Sequence, residues 1–136
     1  MYTSVEVSIL VHATENKDII LNSIIDFIEL PSTSIKLNTL ITEGHWKNPI
    51  HRLILLMRKD CDRIFDKLYN KLIEHDDEHA INDYIQTNTD TKGYLYIRLN
   101  KQKFCTGEIS LSDVDSIRMV FKRVGKFKQF EVNENN

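Results

Sequence analysis

The sequence predicts an α+β fold: a mainly antiparallel, twisted sheet of about five or six strands with two main helices packed on one face. Three observations carry the prediction. Val5 to Val11 and Tyr94 to Asn100 alternate apolar and polar residues with the period of a half-buried strand. Ile20, Ile24, Phe27 and Ile28, and again Ile64, Phe65, Leu68, Tyr69 and Leu72, recur at the spacing of one helix face. The resulting order is strand, helix, two strands, helix, three strands. Helices that interrupt a hairpin-like sheet favour α+β over a doubly wound parallel fold.

Taken in chain order, the first strand places Val5, Val7, Ile9 and Val11 on one side. Thr14 is the expected N-cap of a helix that runs to about Ile28, and Leu30-Pro31 should end it. Ile35, Leu37, Thr39 and Ile41 mark a second strand, followed by a turn rich in special residues, Glu43-Gly44-His45-Trp46-Lys47-Asn48-Pro49. Ile50 to Arg58 is apolar enough for a buried strand. Asp60 should cap a helix from Cys61 to about Glu74. The acidic stretch up to Thr91 reads as a loop or a short irregular helix. Gly93 to Asn100, Glu108 to Leu111 and Ser116 to Val124 are the closing strands, with Ile117, Met119 and Phe121 inward and Arg118 and Lys122 outward. The domain is expected over residues 1–130, with Glu131 to Asn136 as a frayed polar tail.

A chain of 136 residues can build a core without staples. Cys61 and Cys105 are far apart and lack a Cys-x-x-Cys pattern, so they read as free thiols. No apolar run reaches membrane-spanning length, and the first residues lack the basic and apolar regions of a signal peptide. A cytoplasmic location is the expectation. The net charge of −2 does not describe a generic polyanion binder, but its distribution is uneven. Glu74 to Asp90 holds six acidic residues and no Lys or Arg, whereas Lys92 to Lys128 holds nine basic residues against three acidic ones. A basic C-terminal region suits a polyanionic partner despite the neutral total.

The most informative stretch is Tyr94-Leu95-Tyr96-Ile97-Arg98-Leu99-Asn100-Lys101-Gln102. As a strand it buries Leu95, Ile97 and Leu99 and presents Tyr94, Tyr96, Arg98 and Asn100, with Lys101 at its end. Rings that stack on bases and cations that neutralise phosphates are what a nucleic-acid-facing strand needs. Lys103, in the connection that follows, extends the cationic edge. Gly44-His45-Trp46-Lys47-Asn48-Pro49-Ile50 gathers a second set: Trp46 to stack, Lys47 to pair a phosphate, Asn48 to read a base edge and His45 beside them, with Arg52 continuing the track. The same turn has a structural reading, in which Trp46 caps the core and Asn48 bonds the turn backbone. His75-Asp76-Asp77-Glu78-His79 fits the His-x-x-Glu-His spacing of a zinc protease, but its acid-rich setting reads as a hydrophilic turn. Phosphate-binding glycine loops and a nucleophile elbow are absent from the sequence.

In combination, the Gly44 to Ile50 turn and the Tyr96-Ile97-Arg98-Leu99-Asn100-Lys101-Gln102 run with Gly107 resemble an archaeal family of predicted RNA-binding proteins, often described as an exosome subunit. His12-Ala13-Thr14-Glu15 and Asp115-Ser116-Ile117-Arg118 are also similar to it, so the resemblance spans nearly the whole chain. It departs where Lys47 stands in place of a glycine and where Lys103 and Phe104 stand in place of small residues. The resemblance implies a fold similar to the ribosomal protein that holds 5S RNA, and a non-catalytic role in RNA processing or degradation. It carries over no catalytic residue, cofactor or metal. RNA is the expected partner, with exosome or other RNA-processing proteins; a homodimer through a sheet edge is compatible. Two other readings compete: a protein-interaction module docking through a sheet edge or the Trp46 turn, and a small hydrolase built on the histidines.

Overall fold

A computed structural model describes residues 1–44 and 48–124. Its strands are β1 (Ser4–Val11), β2 (Ile35–Glu43), β3 (Pro49–Met57), β4 (Leu95–Asn100) and β5 (Ser116–Lys122). They form one sheet in the order β2-β3-β1-β5-β4, with every neighbouring pair antiparallel. The helices are α1 (Lys17–Ile28), α2 (Cys61–His75), α3 (Glu78–Thr87) and the short α4 (Lys101–Cys105). The predicted α+β architecture is therefore the observed one.

The period-2 pattern sets the two faces of the sheet. Val5, Val7, Ile9, Leu53, Leu55, Met57, Leu95, Ile97, Leu99, Ile117, Met119 and Phe121 are all buried, and the ladder brings them side by side: Val7 opposite Leu55 and Met119, and Ile97 opposite Met119. Helices supply the other half of the core through Ile20, Ile24 and Ile28 of α1 and Ile64, Leu68 and Leu72 of α2. An aromatic cluster closes one end, where the Phe65 ring meets Phe121 edge-on at 5.6 Å and Tyr2 at 5.4 Å.

Several boundaries differ from expectation, each for a local reason. Asn16, not Thr14, caps α1, because its Oδ1 accepts the Ile19 N–H at 3.1 Å. The helix ends at Ile28 as expected, but what ends it is Glu29 in the left-handed conformation, whose N–H donates to Ile25 O, and not Leu30-Pro31. Asp60 stands at the N-cap of α2, but at φ 55° it makes no capping bond. The acidic stretch is a regular ten-residue helix, α3, capped by Asp77 on the Ala80 N–H and anchored by buried Ile81. Lys101–Cys105 is helical rather than a loop: Asn100 Oδ1 accepts the Lys103 N–H at 2.9 Å, and Phe104 inserts against Phe27 of α1. The expected strand over Glu108 to Leu111 reduces to a single bridge between Leu111 and Leu99. The polar tail from Glu131 to Asn136 lies outside the described residues.

The two edges of the sheet are unequal. Every outward N–H of β4 has a partner: Tyr96 donates to Asn88 O, Arg98 to the Tyr84 hydroxyl and Asn100 to Ser110 O. The C-terminal end of α3 and the segment before β5 thus close that edge. β2 forms the other edge and is exposed beyond Ile35, with Leu37, Leu40 and Ile41 in solvent.

Candidate nucleic-acid interface

Because the helices take one face of the sheet, the alternate residues of all five strands emerge on the other. The ladders set this open face in rows. Tyr96 pairs with Val120, which lies beside Glu6; Arg98 pairs with Arg118, which lies beside Ser8; Arg52 lies opposite both Leu10 and Leu40. At the end of the face where β5 begins, Ser8, Leu10, Arg52, Arg98, Asp113, Asp115, Ser116 and Arg118 line a notch of about 300 Å³. Arg98 and Arg118 stand directly opposite each other on neighbouring strands, a like-charge pair that weakens a sheet unless something else uses it. The Arg118 guanidinium lies 5.3 Å from the Tyr96 ring centroid, a stacking contact that fixes its position. Among the described residues, Arg52, Arg98 and Arg118 have no carboxylate within ion-pair distance.

Asp90 organises the start of β4. Its Oδ1 accepts the N–H groups of Lys92 and Tyr94, and its Oδ2 accepts the Tyr96 hydroxyl at 3.1 Å. Burial pushes the Asp90 carboxyl up, but the Tyr94 and Lys92 amides and the Tyr96 hydroxyl outweigh it and hold the group below its ordinary value. Burial and the adjacent Asp90 carboxylate raise Tyr96, which stays a neutral phenol with its proton committed. Tyr96 therefore offers ring rather than hydroxyl, and Tyr94 sits half-buried beside it, with Lys92 Nζ 6.0 Å from its ring centroid.

Lys101 is the main correction to the sequence reading. It does not point out with Arg98: its side chain is 1% exposed, and its ammonium donates to Leu10 O, Glu15 Oε1 and Asp115 Oδ1 at 2.8, 2.8 and 2.9 Å. The parity of Leu95, Ile97 and Leu99 already sets residue 101 on the inward side of the strand, opposite in sense to Arg98, and α4 begins at that residue. Gln102 joins the same lock by donating to Glu15 Oε2, and Glu15 Oε1 also accepts the His12 N–H. His12 Nε2 lies 3.4 Å from Asp115. Burial alone would raise Glu15 and Asp115, but the His12 amide and Lys101 on Glu15, and Lys101 and His12 on Asp115, pull both below the ordinary carboxylate value.

The other sequence candidates divide. Arg52 and Arg98 come together on the notch with Arg118. Lys103 lies on α4, beyond the notch lining, 3.8 Å from Glu108. Asn48 is exposed, and its carbonyl accepts the Gly44 N–H at 2.7 Å, closing the turn. A Cβ at Gly44 would meet Ile50 Cδ1 at 2.6 Å, so the Ile50 side chain would have to shift to admit one. Gly44, Asn48, Pro49 and Ile50 border a second, mostly apolar hollow of about 350 Å³ shared with His12, Ala13 and Thr14. The two hollows adjoin through the His12–Asp115 contact. His45, Trp46 and Lys47 lie outside the described residues. Sequence reasoning did not nominate Arg118. Its outward alternation was visible, but only the β4–β5 register shows that it faces Arg98. The zinc-protease spacing breaks across two helices, since His75 ends α2 while Glu78 begins α3. Among the described residues, no group of three His, Cys, Asp or Glu side chains is arranged to hold a metal ion.

A protein-family model described as RNA binding matches residues 4–123. The chain belongs to this RNA-binding family. Among its relatives, an uncharacterized protein of Methanocaldococcus jannaschii, MJ0213, is 35% identical over 128 residues, covering 89% of this chain and 84% of that one. The RNA-binding protein PAB1135 of Pyrococcus abyssi is 24% identical over 127 residues, covering 91% and 82%. Protein SSO0741 from Sulfolobus solfataricus has a similar fold in its crystal structure, with a TM-score of 0.72 at 23% identity over 88% of this chain and 87% of that one.

Proposed function

We propose that this protein binds RNA without catalysing a reaction on it, using the helix-free face of its sheet. The observation that carries this reading is the group of three guanidiniums, Arg52, Arg98 and Arg118, which line one notch without a carboxylate partner among the described residues. Cations placed together at a cost, beside the half-exposed rings of Tyr94 and Tyr96, suit a polyanion that also carries stacking bases. Membership of the RNA-binding family supports the same assignment, as does the similarity to the RNA-binding protein PAB1135 of Pyrococcus abyssi. The reading extends to a cytoplasmic protein working in RNA processing or degradation, in association with the exosome, on a fold of the 5S-RNA-binding ribosomal type.

Fluorescence anisotropy against single-stranded and structured RNA over a salt series tests it. Affinity should fall steeply with salt, and Arg98→Gln with Arg118→Gln should flatten the slope by about 0.7 per lost phosphate contact, or about 1.4 together, on a single strand. Salt-independent binding, or no binding to either RNA, refutes the proposal.

A second reading, a module that docks protein through a sheet edge, is favoured by the open β2 edge with its exposed Leu37, Leu40 and Ile41. That edge also serves a homodimer. Partners retained after nuclease treatment, and lost on Leu40→Lys, distinguish this reading from RNA-mediated association.

A further inference from the structure

Resting on the RNA-binding reading, we propose that the notch between β3, β1, β5 and β4 is a pocket for a phosphomonoester, the charged end of an RNA strand rather than an internal phosphodiester.

The argument begins with donors and charge. An internal phosphodiester carries one negative charge and leaves two non-bridging oxygens for hydrogen bonds. A terminal phosphate carries nearly two charges at neutral pH and three strong acceptor oxygens. The notch is built for the larger demand. Arg98 and Arg118 stand opposite each other on adjacent strands, and Arg52 reaches the same space from the far side of β1. Each guanidinium presents a planar fork that can bond two oxygens at once. The hydroxyls of Ser8 and Ser116 line the same space. Of the two carboxylates on its rim, Asp115 is already held by Lys101 Nζ at 2.9 Å, which leaves Asp113 as the one rim carboxylate against three guanidiniums.

Shape points the same way. An internal phosphate is best served by an open groove that the strand can enter and leave. Here the 113–116 segment lines one end of the notch, where it joins β5. A strand running across the open face past Tyr96 would meet this segment at the end of the sheet. A volume of about 300 Å³ has room for a phosphate with its sugar. The lock of Lys101 with Glu15, Gln102 and Asp115 holds that end of the sheet in place. The buried Lys101 of the Lys-Gln run would then position the pocket instead of touching its ligand.

One twelve-nucleotide RNA sequence, prepared with a 5′-phosphate, a 3′-phosphate or hydroxyls at both ends, tests the proposal by anisotropy on the full chain. At least one phosphorylated form should bind about tenfold or more tightly than the dihydroxyl form. That advantage should vanish in Arg98→Gln and shrink in Arg118→Lys, which keeps the charge but not the fork, while Lys71→Gln on α2, on the helix side of the sheet, retains it. Far-ultraviolet circular dichroism checks that each variant is folded. Equal affinity for all three forms overturns the inference and leaves RNA binding standing. If no form binds, the RNA reading fails, and calorimetric titration with adenosine monophosphate decides the pocket alone. Binding lost in Arg98→Gln then supports a phosphomonoester site for free nucleotides, and no binding overturns it.

Discussion

Replacing Lys101 with methionine should remove the centre of the lock at the end of the sheet. The Lys101 ammonium is 1% exposed and satisfies three acceptors from three parts of the chain: Leu10 O at the end of β1, Glu15 before α1 and Asp115 before β5. Methionine fills much of the volume but leaves a carbonyl unpaired and two carboxylates facing each other. Taking one partner from a buried ion pair costs about 3–5 kcal/mol. Glu15 is 13% exposed and pays nearly in full, whereas Asp115, at 43%, recovers part of its hydration. The expected loss is therefore about 3 kcal/mol at neutral pH, or about 10 °C in Tm for a chain of this size. Urea denaturation followed by circular dichroism measures it.

The pH dependence makes this test specific. Glu15 and Asp115 sit below their ordinary carboxylate values in the folded wild type, so each contributes stability that is present above the unfolded-state value and lost as pH falls through the folded one. Without Lys101 that depression shrinks to what the His12 amide on Glu15 and the His12 side chain on Asp115 supply. The deficit of Lys101→Met should then be largest at neutral pH and narrow on acidification below the ordinary carboxylate range of about 4. A loss under about 1 kcal/mol, or a deficit that does not change with pH, would refute the lock. Lys101→Met should also leave the salt slope of RNA binding unaltered, because the ammonium meets no ligand.

Two further outcomes follow from the same geometry. Arg98→Gln relieves the cross-strand repulsion with Arg118 and should stabilise the fold by up to about 0.5 kcal/mol in urea denaturation even as RNA affinity drops, with destabilisation counting against a site held at a cost. Tyr84→Phe removes the acceptor for the Arg98 N–H, so it should cost about 1 kcal/mol and speed amide exchange at Arg98 by nuclear magnetic resonance; an unchanged exchange rate would show that α3 does not seal the β4 edge.

Local pattern carried the architecture. Each strand alternates between a water-facing and a helix-facing side, so the buried sets of β1, β4 and β5 could be read residue by residue, as could the apolar stripes of α1 and α2. The same alternation put Arg98 outward. Reading failed where a short-range competitor was invisible in the pattern. The acidic stretch reads as a loop or a short irregular helix because α3 carries a single fully buried apolar residue, Ile81, too few for a clear helical stripe. The run from Lys101 looked like strand and then loop because the Asn100 cap and the insertion of Phe104 are single-residue signals.

The chain by itself thus determined an antiparallel sheet with helices on one face, the identity of its core and the outward side of β4, because periodicity and burial act over a few residues at a time. Tertiary structure alone decided which cations meet. Arg52, Arg98 and Arg118 are 46 and 20 residues apart in sequence, and only the strand order β3-β1-β5-β4 brings them to one notch. It also decided which acceptors meet the ammonium of Lys101, on the inward parity of Leu99: Leu10 O, Glu15 and Asp115. Register between distant strands and the partners of a buried charge are long-range properties, set by packing after the local pattern has been satisfied.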